Sequence, residues 1–213
     1  MTRALLLALV LVLVSVDLHG RPVSYTGGWT LIEESNRQST QALIHYTPGP
    51  SWSLGLRNEW FRSDDYLLTA VQPTYLLKRW FGADYQANVY VHGGLGVAQG
   101  VSGNDLSDQA AGFVGVMADW ETRRLFVGYN ARYLEAGHFG DSTMQMFRFG
   151  YAPYEGDTGD LHTWLMLEID HRPESNDAVT VAPLLRFFRG PALLELGYNL
   201  VESSPLVNFT YRF

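Results

Sequence analysis

The chain contains no cysteine in its 213 residues, which excludes a disulfide framework and the thiolate sites that hold structural zinc. Lysine occurs once, at Lys78, and is absent from the second half, and the formal net charge is -7. That balance argues against a surface built to bind nucleic-acid phosphates, so no nucleic-acid partner is expected. Long apolar runs are missing too, apart from one at the extreme N-terminus, and mean hydropathy is only -0.07. A bundle of membrane-spanning helices needs about 20 apolar residues per span, so that architecture is excluded. A lipid hydrolase built on a strand would place Ser two residues after His, so that both share one face. None of the strand histidines His45, His92 and His162 is followed that way.

The single apolar run is Ala4–Val16, preceded by Arg3. A basic start and a short apolar core match a secretory signal and are too short to span a bilayer comfortably. Residues 1–20 are therefore expected to be a leader cut near Gly20, although Leu18 fits poorly at the -3 position; a retained anchor is the alternative. No cysteine follows, so attachment through a lipidated N-terminal cysteine is excluded.

From residue 21 onward the pattern is one of short segments alternating with period two, which sends successive side chains to opposite faces of a sheet. Tyr85–Ala98 is the clearest. Tyr85, Ala87, Val89, Val91, Gly93, Leu95 and Val97 form one face, and Gln86, Asn88, Tyr90, His92, Gly94, Gly96 and Ala98 the other. The split recurs around Leu125–Tyr133, His162–Asp170, Val179–Phe187 and Leu193–Leu200. Breakers such as Thr47–Pro50, Lys78–Asp84, Glu121–Arg124, Glu155–Asp160 and Arg189–Pro191 divide the chain into about twelve strands joined by eleven connections. Strands of roughly ten residues suffice to cross a bilayer at a tilt. The first hairpin is ambiguous because Leu31 and Ile32 are adjacent apolar residues. Without it the count falls to ten, since single-chain barrels keep an even number.

The C-terminus reads Val207-Asn208-Phe209-Thr210-Tyr211-Arg212-Phe213. This resembles the terminal strand of bacterial outer-membrane β-barrel proteins, with Val207, Phe209, Tyr211 and Phe213 in the alternating positions and Phe last. The resemblance implies an all-β, antiparallel transmembrane barrel over residues 21–213, outer-membrane location, and insertion by the barrel assembly machinery. An aromatic terminal strand left open would invite edge pairing, which closure removes. Trp52, Tyr75, Trp80, Trp120, Tyr129, Tyr133 and Tyr151 are expected toward strand ends on the lipid face, at headgroup level.

In such a barrel the C-terminus lies on the periplasmic side and the longer connections lie outside. Those connections are acidic, with Asp64, Asp65, Asp105, Asp108, Glu135, Asp141, Glu174, Asp177 and Glu202. They are a solvated surface, or carboxylates bridged through divalent cations to lipopolysaccharide. The expected lumen face carries Arg57, Glu59, His92, Arg132, Arg148, His162, Glu168, Asp170, Arg186, Glu195 and Arg212. Arg132, Arg148 and Arg186 are expected to pair with Glu168 and Glu195. Both signs occur in similar number, whereas a strongly selective filter favours one. Met117, Met144, Met146 and Met166 fall on the same face. Thioether and imidazole would suit copper(I), but packing is the simpler use of Met, and no cofactor is expected. The leading expectation is a small-solute channel, followed by a non-conducting structural or surface-interaction barrel and then a lipid-modifying enzyme. Oligomeric state is left open.

Overall fold

The computed structural model describes residues 22–102, 108–157 and 159–213. Residues 1–20, expected as a leader, and Asp105 lie outside the described residues. Twelve strands follow in order: β1 Trp29–Ser35, β2 Ser39–Gly49, β3 Trp52–Phe61, β4 Tyr66–Phe81, β5 Gln86–Gly100, β6 Asp108–Glu121, β7 Leu125–Glu135, β8 Asp141–Tyr151, β9 His162–His171, β10 Val179–Arg189, β11 Ala192–Asn199 and β12 Ser204–Arg212. Each pairs antiparallel with its sequence neighbour, and β1 pairs with β12 to close the barrel.

The first hairpin is part of this ring, so the ten-strand alternative is excluded. Its adjacent apolar residues go to opposite sides. Ile32 faces the bore opposite buried Leu43, and Leu31 faces outward. Closure uses the last residue: the Trp29 amide donates to the Phe213 carbonyl at 2.8 Å, and the Phe213 amide to the Trp29 carbonyl at 3.0 Å. No ladder edge is left open, which is what a sheet needs where water cannot satisfy it.

Local chemistry sets the turns. Asn36 Oδ1 accepts from the amides of Gln38 and Ser39, each at 2.9 Å. Asn199 Oδ1 does the same for Val201 and Glu202, each at 3.0 Å. Such side-chain-to-backbone bonds hold tight reversals without a long loop. Gly190, with φ of 56°, turns the two-residue β10–β11 connection. Two segments expected as turns are instead strand: β2 runs on to Gly49, and β4 continues to Phe81 through a bulge at Leu76–Lys78. The extra residue keeps Leu76 opposite Tyr90 and Lys78 opposite Val89, so inward and outward faces survive the irregularity.

The outer face exposes Leu54, Leu56, Val71, Leu95, Val114, Leu165 and Leu196 between rings of aromatics. Trp29, Tyr46, Trp52, Tyr75, Trp80, Tyr151 and Tyr211 ring the end that carries both termini. Tyr129 also faces outward but sits mid-strand, not near an end. The longest connection, residues 152–161, lies at the termini end, contrary to the expectation that longer connections gather at the other. Inside, two apolar clusters pack. One, with Phe61, Tyr66, Leu68, Phe113 and Leu134, lies on the β3–β7 wall toward the end away from the termini. The other, with Trp164, Met166, Ala182, Leu184 and Leu206, lies on the β9–β12 wall.

Candidate functional site: the barrel lumen

Between the clusters lies a belt of charged side chains around a cavity of ≈ 230 Å³. Every residue expected on the lumen face belongs to the inward register. Arg57, Glu59, His92, Arg132, Glu168, Asp170, Arg186, Glu195 and Arg212 are buried, and Arg148 and His162 partly so.

The belt resolves into two networks. In the first, Arg132 forks onto Glu59, with Nη1 donating to Oε2 at 2.6 Å and Nη2 to Oε1 at 2.9 Å. Arg57 Nη1 reaches the same Oε2 at 3.2 Å, its Nε donates to Gln72 at 2.7 Å, and Nη1 also meets Gln41. Planar guanidinium and carboxylate groups match in this two-pronged way, which fixes both position and orientation. Arg132 is on β7 and Glu59 on β3, four strand spacings apart, or about 19 Å of wall at about 4.8 Å each. The pair therefore crosses the bore as a chord. Aromatic faces support both cations: Arg57 lies 5.5 Å and Arg132 5.7 Å from the centre of the Phe113 ring.

In the second network Arg148 Nη2 contacts Glu168 Oε2 at 2.6 Å and its Nη1 contacts Glu195 Oε2 at 3.2 Å. Arg186 Nε donates to Glu195 Oε1 at 2.7 Å, and Asn208 Nδ2 to Glu195 Oε2 at 2.7 Å. The backbone register brings these groups together. Arg148 is opposite Glu168, Arg186 opposite Glu195, and Glu195 opposite Asn208. A Cβ at Gly128, opposite Arg148, would crowd the Phe126 ring at 3.0 Å, so the glycine gives that ring its place beside the network. Arg148 and Arg186 thus reach the carboxylates expected for them, whereas Arg132 turns to Glu59 across the lumen. The reason is depth. Barrel shear places the β7 and β3 residues at one level, which neighbour-to-neighbour reasoning along β7–β11 does not capture.

The remaining sites disperse. Asp170 takes Arg172 Nε at 2.9 Å. His162 stacks on Phe188, with ring centres 4.4 Å apart, near the termini end. Met144 and Met146 line the cavity with His92 and Met117, while Met166 is packed in the apolar cluster beside Trp164. That packing separates Met166 from the other two as a ligand set. Among the described residues no three His, Asp or Glu side chains group to hold a metal.

One lumen element has no signal in the alternation. Val23 is buried, the Pro22 carbonyl accepts from Ser53 Oγ at 2.8 Å, and the Ser24 amide donates to Thr47 Oγ1 at 3.3 Å. Ser53 and Thr47 face inward, so residues 22–24 tuck into the bore at the termini end, with Pro22 against the cavity. Thr47 and Ser53, two small inward-facing hydroxyl residues at the irregular end of the β2–β3 ladder, are the only trace of it in the sequence.

A closed antiparallel ring with an apolar exterior and a charged interior defines a membrane-type β-barrel, and the fold is that of bacterial outer-membrane porins. The chain is similar to a KdgM porin solved in complex with disordered oligogalacturonate, at TM-score 0.51 and 12% identity over 87% of this chain and 98% of that one. It is likewise similar to a second structure of the KdgM porin, at TM-score 0.50 and 13% identity with the same coverage. No protein-family model matches the chain, and no curated protein matches it in sequence.

Proposed function

We propose that the protein is a narrow outer-membrane channel for small hydrophilic solutes. The carrying observation is the charged, cavity-bearing interior inside an apolar exterior: Arg57, Glu59, Arg132, Arg148, Arg186 and Glu195 surround ≈ 230 Å³ of free space. A hydrated path calls for polar walls and free space between them, and this bore has both. The fold shared with the KdgM porins supports this reading. The two networks narrow the path, and each largely neutralises its own charge, with Arg57 and Arg132 on Glu59 in the first and Arg148 and Arg186 on Glu168 and Glu195 in the second, so permeation is set by size more than by sign. In this reading the leader directs export and the Val207–Phe213 strand engages the assembly machinery. The termini then face the periplasm, and the acidic rim residues meet lipopolysaccharide.

A specific observation favours a second reading, a barrel that does not conduct. Phe61 stacks on Tyr66 at 4.6 Å and Tyr66 on Phe139 at 4.9 Å, covering the Arg132–Glu59 chord from the end away from the termini. Liposome swelling with neutral sugars of graded size separates the two. A channel admits the smallest sugars with a sharp cut-off, and the double variant Glu59→Ala/Arg132→Ala moves that cut-off upward. No swelling with wild type or variant selects the non-conducting barrel.

A further inference from the structure

Glu33 is exposed on the outer face of β1, flanked in register by Phe209 of β12 and Ala42 of β2. It is four residues from Trp29 in the aromatic ring, about 13 Å along a strand, and so lies within the apolar band. Among the described residues it makes no hydrogen bond or ion pair. A carboxylate in that band is costly unless another protein group meets it.

The polar character continues along the same face. Asn58 is opposite Ala42, and Thr69 is opposite Asn58. Thr69 Oγ1 donates to Asn58 Oδ1 at 2.8 Å, which leaves Asn58 Nδ2 without a partner among the described residues. Ser35 and Thr40 share a hydrogen bond of 2.8 Å, and the Arg62 guanidinium lies over both hydroxyls and 5.3 Å from the Trp60 ring centre. The patch therefore carries an acceptor, Glu33, on β1 and a donor, Asn58 Nδ2, on β3, while Arg62 is held within the chain, Nη1 by the Asn36 carbonyl and Nη2 by the Ser35 and Thr40 hydroxyls. Ala42, a small residue, lies between Glu33 and Asn58, about 4.8 Å from each strand.

We propose that this patch is the interface through which two copies of the chain associate side by side in the membrane, about a two-fold axis along the membrane normal that passes near Ala42. A two-fold interface must be self-complementary. Here Glu33 on β1 of each copy meets Asn58 on β3 of the other, the two lying on opposite sides of Ala42 in register, and Ala42 at the axis permits close approach. Lipid tails offer no donor to Glu33, and lipopolysaccharide phosphates would repel it; a second copy brings the Asn58 amide on the same face. The connections beside the patch are short, residues 36–38 and 200–203, so nothing projects to hold two barrels apart.

Because the chain has no cysteine, Ala42→Cys introduces a single thiol. In proteoliposomes under mild oxidation this variant should form a disulfide-linked dimer. Val114→Cys, exposed on the β6 wall, should not. By native mass spectrometry the wild type should be twice the chain mass. Glu33→Leu should raise the dimer dissociation constant at least tenfold, and Ala42→Trp should do so by bulk alone, with barrel folding checked for each by heat-dependent gel mobility. The proposal is overturned by a wild type of single-chain mass, by retained lipopolysaccharide as the only added mass, or by cross-linking at Ala42→Cys no stronger than at Val114→Cys. It is overturned equally if both folded variants stay as dimeric as wild type.

Discussion

Replacing Glu59 by Ala removes the anion that two guanidinium groups share. Its side chain is 3% exposed and those of Arg132 and Arg57 are 6% and 8% exposed, so neither cation regains full hydration when it leaves. Breaking a buried pair from one side costs about 3–5 kcal/mol, because the surviving charge keeps its desolvation penalty. Arg57 retains Gln72 and Gln41, and the adjoining cavity admits water to Arg132, so the loss should fall near the lower end, about 3 kcal/mol. Urea unfolding of the barrel in lipid vesicles, followed by tryptophan fluorescence and gel mobility, measures it. The Glu59→Ala/Arg132→Ala double variant should be less destabilised than the two single losses summed, with a coupling of about 1–3 kcal/mol for groups in direct contact. Strict additivity, or a Glu59→Ala loss below about 0.5 kcal/mol, would refute the cross-lumen chord.

Three further outcomes follow from the geometry. Val91 faces outward and Asn88 inward beside Asp119; Val91→Arg should cost about 2–4 kcal/mol if it lies near the bilayer midplane and Asn88→Arg much less, whereas equal costs in the same vesicle unfolding assay would mean that β5 is shifted by one residue. A Cβ at Gly96 would overlap the Thr69 carbonyl oxygen and the Ala70 backbone, so Gly96→Ala should destabilise by about 1–3 kcal/mol, and unchanged stability would place β4 and β5 farther apart. Deleting Phe213 removes both hydrogen bonds to Trp29 at the closing seam; export should persist while outer-membrane insertion falls, and wild-type insertion in fractionated cells would deny the terminal residue its role.

The facing of most strands was legible because a two-residue period leaves little choice once one side is apolar. Val89 and Val91 against Asn88 and His92 is such a case, and the structure follows it residue for residue. The pattern was illegible where one strand mixes its faces. In β1, Leu31 points outward and Ile32 inward, while Glu33 faces out and Glu34 in, so hydrophobicity does not distinguish the sides. Partner registry with β2 and β12 decides it instead. Bulges were hidden for a related reason: Lys78–Asp84 reads as a turn, and only the ladder from Lys78 opposite Val89 to Phe81 opposite Gln86 shows the strand continuing. Within the lumen, residue types were readable but partners only in part. Arg148 with Glu168 and Arg186 with Glu195 are cross-strand neighbours, whereas Arg132 with Glu59 depends on how the whole ring closes. The entry of residues 22–24 into the bore was not legible, since no periodicity marks a segment held by two hydroxyls.

Single-channel recording in a planar bilayer tests the hydrated lumen most directly. A conducting bore bounded by the two networks gives wild type a small, steady conductance with weak ion selectivity, and Glu59→Ala/Arg132→Ala a larger one. Silence from folded wild type and folded variant alike would contradict it, and would mean that the charged belt closes the barrel.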